Sequence, residues 1–315
     1  MNPSDGSIAV RLAEVSSRLS RCPDLDTVVT AALRGLAEQF GYEHALLLLL
    51  DETGSRLFTI ASHGYEQAGI GSEVQVGEGI IGMTAARAAP MRVGNLRAML
   101  KYARAVRREF EESGDLAPGW EIPLPGLAAA ESQLAVPAMV LGQLVGVLAT
   151  ESDIHMAYDE HDEALLTVVG SMIASAIEID WANDRTEDVS APAGSRGRVP
   201  PATVHTTQVR FFPVDGSTFL DGAYLIKGVA GRILWTLLAH YSRDGRDEFT
   251  NKEVRLDPSL ELPELRDNLE SRLILLKRRL EERDAPVRIE KTGRGRFRLL
   301  VDTTLVLESV GGAEQ

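Results

Sequence analysis

Residues 133–151 read Gln-Leu-Ala-Val-Pro-Ala-Met-Val, then Leu-Gly-Gln, then Leu-Val-Gly-Val-Leu-Ala-Thr-Glu. Two dense apolar runs, Gln133 to Val140 and Leu144 to Glu151, flank a short stretch centred on glycine, which predicts a β-hairpin. Outward from it, His44 to Asp51 is a short apolar run and Leu57 to His63 alternates, so two more strands are expected upstream. Before them, Ile8 to Phe40 carries apolar residues at helical spacing. A break at Cys22-Pro23-Asp24 divides that stretch into two consecutive helices. Downstream, Tyr158-Asp159-Glu160 introduces a helix from about His161 to Trp181, apolar at Leu165, Val168, Val169, Met172, Ile173, Ala176 and Ile177. Helices at both ends of a single, mostly antiparallel sheet make an α+β layered domain.

That domain accounts for about half of the 315 residues, so a second domain is expected. The stretch from Thr186 to Thr207 contains Ala191-Pro192-Ala193-Gly194-Ser195 and Pro200-Pro201 and lacks apolar periodicity. It divides the chain into an N-terminal domain at 1–185, a linker at 186–207, a C-terminal domain at 208–307 and a tail at 308–315. The hydrophobic content of 44% and charged content of 25% are those of a folded globular protein. No apolar run reaches the roughly 18 residues that span a bilayer, and Met1 to Gly6 does not read as a secretory signal. A cytoplasmic protein with no membrane partner is expected. One cysteine, Cys22, excludes an internal disulfide and any Cys-rich metal centre. The net charge of −13 is unevenly spread. Residues 1–190 hold 13 Lys and Arg against 28 Asp and Glu, whereas residues 227–301 hold 17 against 13. The mildly basic second unit is suited to phosphate attraction; the acidic first unit is not.

Three segments of the first domain, Gly77-Glu78-Gly79-Ile80-Ile81-Gly82, Val136-Pro137-Ala138-Met139-Val140 and Gly142-Gln143-Leu144-Val145-Gly146-Val147-Leu148, resemble the landmarks of GAF domains in order and spacing. The resemblance covers about Leu12 to Asn183. Gly77 to Gly82 also fits GxGxxG, but Pro90 ends the following segment early and no acidic residue stands at the ribose position, so a dinucleotide fold is not expected. GAF domains bind cyclic nucleotides, haem, bilins, iron or small metabolites, and some bind nothing. The resemblance therefore implies a small-molecule pocket and leaves its cofactor unknown. Candidate pocket residues are Ile81, Met83, Arg92, Tyr102, Trp120 and Val136, with the segment from Asn95 to Glu131 as a lid. His44, His63, His155 and His161 are not at metal-ligand spacing, so no metal site is expected. No motif of a known catalytic class is present, and the expectation is a protein that is not an enzyme.

In the second domain, short strands around Val209 to Pro213 and Thr218 to Ile226 precede a helix from Val229 to Tyr241. A capping box at Thr250-Asn251-Lys252-Glu253 starts a second helix. A third, Pro263 to Arg283, places Leu265, Leu269, Leu273, Leu276 and Leu280 on one face and leaves Arg279 with other cations off it. Val287 to Glu290 and Phe297 to Val301 then flank a cationic turn, Thr292-Gly293-Arg294-Gly295-Arg296. This order resembles the OmpR-type winged helix, with landmarks at Phe219-Leu220-Asp221-Gly222, Leu276-Lys277-Arg278-Arg279-Leu280 and Gly293 to Leu299. The resemblance implies that the third helix enters the major groove of double-stranded DNA while the hairpin reaches phosphates. Candidate DNA-binding residues are Arg266, Asn268, Arg272, Lys277, Arg278, Lys291, Arg294 and Arg296. Ile274 and Leu275 either touch thymine methyls or pack on another surface.

The two resemblances together imply a signal-responsive transcriptional regulator, a homodimer paired through its first helix and the helix from His161 to Trp181, with DNA and RNA polymerase as partners. The alternative is a non-catalytic adaptor in which both domains contact proteins.

Overall fold

The computed structural model describes residues 3–96, 122–186, 206–260 and 269–311. The chain divides into two compact units, Met1–Asp180 and Trp181–Gln315.

In the first unit, α1 (Pro3–Leu19) and α2 (Leu25–Phe40) precede β1 (His44–Leu50), β2 (Arg56–His63) and β3 (Glu73–Gln75). Then come α3 (Gly79–Arg87), β4 (Met91–Val93), β5 (Ser132–Val140), β6 (Gln143–Ser152) and α4 (Glu160–Thr186). Asp24 explains the break between the first two helices. Its carboxylate accepts from the Thr27 amide at 2.9 Å while the Thr27 hydroxyl faces the Asp24 backbone, and Gly41 closes α2 with φ of 74°. The strands form one sheet in the order β3-β2-β1-β6-β5-β4 with antiparallel neighbours. The hairpin turn is Leu141-Gly142, both at positive φ, which matches the right-handed twist of the strands it joins.

Both faces of this sheet are covered, which is why β1 is buried continuously from Ala45 to Leu49. On one face Leu46, Leu48, Leu57, Ala135, Val147 and Ala149 pack with Ile80, Ile81 and Ala85 of α3. On the other, α4 lies against β5: at Gly170 a side chain would meet Val136 at 3.5 Å. The Tyr42 hydroxyl after α2 donates to Asp162 of α4 at 2.5 Å. The glycines of Gly77 to Gly82 serve the entry to α3: Gly77 has φ of 96°, and a Cβ on Gly82 would lie 2.2 Å from the Gln75 carbonyl.

In the second unit, β7 (Thr206–Phe212), β8 (Ser217–Leu220) and β9 (Ala223–Ile226) lead into α5 (Gly228–Asp244). β10 (Glu248–Thr250), α6 (Asn251–Arg255), α7 (Leu269–Glu282), β11 (Val287–Gly293), β12 (Arg296–Val301) and β13 (Thr304–Ser309) follow. One sheet runs β13-β7-β8-β9 and another β10-β12-β11. β13 corrects the sequence reading, which ended the last hairpin at Val301 and put Glu308 and Ser309 in a tail. β13 pairs in parallel with β7 from Thr304↔Thr206 to Ser309↔Phe211. As a half-exposed edge strand it lacks the apolar density that marks a central one. β7 likewise begins at Thr206, within the stretch read as linker; residues 187–205 lie outside the described ones. At α6, Thr250 accepts from the Glu253 amide at 3.2 Å as expected, but the Glu253 carboxylate pairs with Arg246 instead of closing the capping box.

No helix of the described residues is long and apolar enough to cross a membrane.

The second unit depends on a close approach between α5 and the β7–β8 turn. A Cβ on Gly231 would stand 1.9 Å from the Gly216 carbonyl oxygen, a backbone atom that cannot rotate away. Alanine raises helix propensity by about 1 kcal/mol over glycine, but overpacking costs typically 1–3 kcal/mol or more. Gly231→Ala should therefore lower stability in a urea melt, and a variant as stable as wild type would refute this account of the contact.

Candidate functional site

Period-two alternation along β6 puts Val147 and Ala149 in the α3 layer, and it carries Glu151 to the same face. Register extends a row across the sheet: Glu151 pairs with His44 of β1 on one side and Gln133 of β5 on the other, and Gln133 pairs with Val93 of β4. Tyr65, just beyond β2, packs against the α3 layer with its ring 5.5 Å from that of His44. Glu151 is only 8% exposed. One carboxylate oxygen accepts from Gln133 Nε2 at 3.1 Å and the other from the Leu127 amide at 2.8 Å. The buried Tyr65 hydroxyl stands against the Glu151 carboxylate, within reach of a hydrogen bond but short of full geometry.

Burial raises the pKa of Glu151, against the hydrogen bonds from Leu127 and Tyr65 and the nearby His44, which lower it. Tyr65 is raised too, by burial and then by the charge on Glu151. Among the described residues, no basic side chain forms an ion pair with Glu151. The arrangement can accept hydrogen bonds from a donor group and can oppose a positive charge. No group of three or more His, Cys, Asp or Glu suited to a metal occurs among the described residues.

The same alternation separates the residues that the sequence grouped as a pocket. Ile81 lies in the α3 layer and Met83 is half-buried on the same helix. Val136 is one position out of phase with Ala135, so it faces α4 and packs at Gly170. Arg92 lies between Met91 and Val93, which face the α3 layer, so it turns the other way and approaches Glu163 of α4 at 3.8 Å. Val136 and Arg92 thus do not share a pocket with Ile81, because a shift of one residue crosses the sheet. Tyr102 and Trp120 lie outside the described residues. The sequence reading missed His44, Tyr65, Gln133 and Glu151. The available signal was a carboxylate in phase with the buried Val147 and Ala149.

In the second unit, Arg266 and Asn268 lie outside the described residues. Arg272, Lys277 and Arg278 are half-buried on α7. Ile274 and Leu275 are buried at 4% and 3% exposure, so thymine contact by these two is withdrawn. Arg279 was placed off the apolar face, yet it is buried, donating to the Leu225 carbonyl at 2.8 Å and pairing with Glu282 at 2.6 Å. Lys291 has an exposed backbone position, but its ammonium pairs with the buried Glu270 at 2.6 Å, and Glu270 also accepts from Asn251 at 3.1 Å. Arg294 and Arg296 are exposed on either side of Gly295. The turn itself is held: the Gly295 carbonyl accepts from the Asn251 amide at 2.9 Å.

The raised pKa of Glu151 fixes the sign of a pH effect. A carboxyl whose folded pKa exceeds its unfolded one contributes full stability below the unfolded value, and that stability is lost as pH rises through the folded value. Glu151→Gln should remove this decline, leaving the melting temperature less dependent on pH above the ordinary carboxylate pKa than in wild type. Parallel pH profiles for the two proteins would refute it.

The GAF domain family matches residues 22–178. Similar solved structures include the GAF domain of an Acinetobacter phosphoenolpyruvate-protein phosphotransferase, at 19% identity and a TM-score of 0.46, covering 60% of this chain and 100% of that one. Another is the GAF domain of a Coxiella burnetii phosphoenolpyruvate-protein phosphotransferase, at 18% identity and 0.44, covering 57% and 97%. A third is a Neisseria meningitidis free methionine-R-sulfoxide reductase in complex with its substrate, at 17% and 0.45, covering 58% and 95%. No curated protein matches the chain. The family match agrees with the antiparallel sheet between helices, and the N-terminal half of this chain, over residues 22–178, is a GAF domain, a signal-sensing domain.

Proposed function

We propose that the chain is a signal-responsive DNA-binding regulator, in which the GAF domain senses a small molecule and the second unit is a winged helix that binds double-stranded DNA. One observation carries the DNA part. Three helices, α5, α6 and α7, are followed by a hairpin whose turn presents exposed Arg294 and Arg296, while α7 offers Arg272, Lys277 and Arg278. Residues 227–301 carry more Lys and Arg than Asp and Glu, whereas the rest of the chain taken together carries fewer. Arg294 and Arg296 suit phosphate contact, which positions a protein on DNA without reading sequence. Because α7 is buried nearly all round from Leu269 to Leu276, Arg272 is the residue of that stretch best placed for a base edge.

A homodimer fits this reading. The outer side of α4 exposes Ala164, Val168, Ser175, Ile179 and Ala182, none of them charged, with Val168 and Ile179 at 39% and 61% exposure. Solvent-facing helix sides are ordinarily polar, and this spacing follows one face of a helix. A second copy of α4 would cover it, giving two DNA-binding units for paired half-sites. The adaptor reading draws on the same burial of α7, which leaves little side chain free to read bases; under it both units contact proteins.

Two measurements decide. In gel-shift titrations against salt, replacing Arg294 and Arg296 together by alanine should weaken binding to all sequences and lower the salt slope by about one per lost phosphate contact. Binding that is absent in wild type, or unchanged in the folded variant, would favour the adaptor. Ile179→Glu, which places a charge in the uncharged stripe, should halve the mass seen by light scattering and weaken DNA binding, since two linked sites bind more tightly than one. A wild-type monomer would end the dimer proposal.

A further inference from the structure

We infer that β13 pairs with β13 of a second copy of this chain, antiparallel and centred on Val306, so that the two four-stranded sheets join into one. This edge of the second unit is used by neither the DNA-facing residues nor the uncharged stripe of α4.

Backbone direction sets which groups are open. β13 stands at the end of its sheet, beyond β7. The Val310 amide donates to the Phe211 carbonyl at 2.8 Å, so Val310 turns its polar groups toward β7. Successive residues of a strand turn their N–H and C=O groups to opposite sides, and the parallel register runs unbroken from Thr304 to Ser309. Thr304, Val306 and Glu308 therefore bond to β7, while the N–H and C=O groups of Leu305, Leu307 and Ser309 point to the open edge.

Such an edge is a template for another strand, and proteins ordinarily blunt it by shortness, bulges, charges or proline. The other edges among the described residues are blunted in this way. β3, β4 and β10 are three residues long, and β9 has four with a register shift against β8. β11 exposes Arg288, Glu290 and Lys291. β13 has six residues, no proline, no register shift and an apolar Leu-Val-Leu centre. Its single charge, Glu308, is matched within the sheet by Arg210 at 3.0 Å and Gln208 at 3.1 Å.

The strand is its own complement. A two-fold axis perpendicular to the sheet pairs residues of the same face, and with Val306 on that axis Leu305 stands opposite Leu307 on both sides of it. These are the residues whose polar groups point outward, so each exchanges both hydrogen bonds with its opposite. Their side chains lie on the face of Thr207 and Val209, their buried neighbours on β7, yet both are half-exposed at the open edge. The leucines of a second copy cover them. Glu308 then stands opposite Thr304. A centre at Leu305 would instead set Glu308 against Asp302 of the other copy, like charge to like, and a centre at Leu307 would pair Leu305 with Ser309. Charge and apolar matching both select Val306, which is 49% exposed on the other face and meets its own copy at about 4.5 Å between Cα atoms.

Cysteine cross-linking of the full chain reads this register. In a Cys22→Ser background, which removes the single native cysteine, the variants Val306→Cys, Thr304→Cys and Glu308→Cys are oxidised mildly and run on non-reducing gels. All three positions are exposed, so the substitutions leave the core intact. Val306→Cys should give a covalent dimer, because a disulfide needs Cα atoms within roughly 7 Å. Thr304→Cys and Glu308→Cys should each stay monomeric, since like positions stand four residues apart along the strands, roughly 13 Å. An equal mixture of those two should cross-link. The Val306→Cys dimer should also persist with Ile179→Glu, which carries a charge on α4. Absence of the Val306→Cys dimer would overturn the pairing and leave the edge to a strand of another protein. Equal dimer from all three single variants, or a mixture that does not cross-link, would overturn it as random collision or another register. Loss of the dimer with Ile179→Glu would overturn it by assigning the cross-link to α4. No DNA enters these measurements, so their outcome is separate from that of the DNA-binding reading.

Discussion

The pairing of β1 with β6 at the centre of the GAF sheet governs the first unit. Each strand is covered on both faces, so every residue from Ala45 to Leu49 is buried, and its parity alone decides which layer it joins. Leu46 and Leu48 support α3, while Val136 on β5 supports α4. The same register brings His44, Glu151 and Gln133 into a row. Apolar burial of this kind stabilises by about 25 cal/mol per Å², which allows one unpaired carboxylate to be held inside the sheet layer.

That carboxylate contrasts with the other polar contacts of the domain. Asp159 caps α4 by accepting from the amides of His161 and Asp162, and those bonds hold its pKa low. Tyr158, raised to about 12 by burial, and Tyr42, raised further, each have a hydrogen-bond partner in Thr150 and Asp162. These groups are satisfied locally and fasten helices to the sheet. At Glu151 and Tyr65, by contrast, burial is the largest influence and raises the pKa of both groups.

In the second unit several cations serve internal contacts. Arg279 is an internal brace between α7 and β9, and Lys291 fastens the hairpin to α7 through Glu270. Arg298 and Arg246 pair with Glu248 and Glu253 on and beside β10. A surplus of positive charge in this region therefore overstates the charge offered to a partner, and exposure narrows the candidates to Arg294 and Arg296 at the turn, with Arg272, Lys277 and Arg278 half-buried on α7.

Periodicity was enough to place the elements. Two dense apolar runs across a glycine turn in Gln133 to Glu151, helical spacing after Asp24 and after Asp159, and the order of strands, helices and hairpin after Thr206 are all local properties of the chain. The N-terminal sheet and its flanking helices were legible on those grounds. The contents of a site were not, because they depend on phase and on partners distant in sequence. Val136 and Arg92 sit near the expected pocket along the chain yet face away from it, and Lys291 reads as free charge until Glu270 stands 2.6 Å away. β13 was missed since a short edge strand gains its order from pairing with β7, about a hundred residues earlier, and not from its own sequence. The sequence by itself determined the longer strands and helices, since their side-chain period is local, but not the short edge strands such as β13. Only the tertiary structure decided which charges are buried, paired or open, since desolvation is set by everything packed around a group.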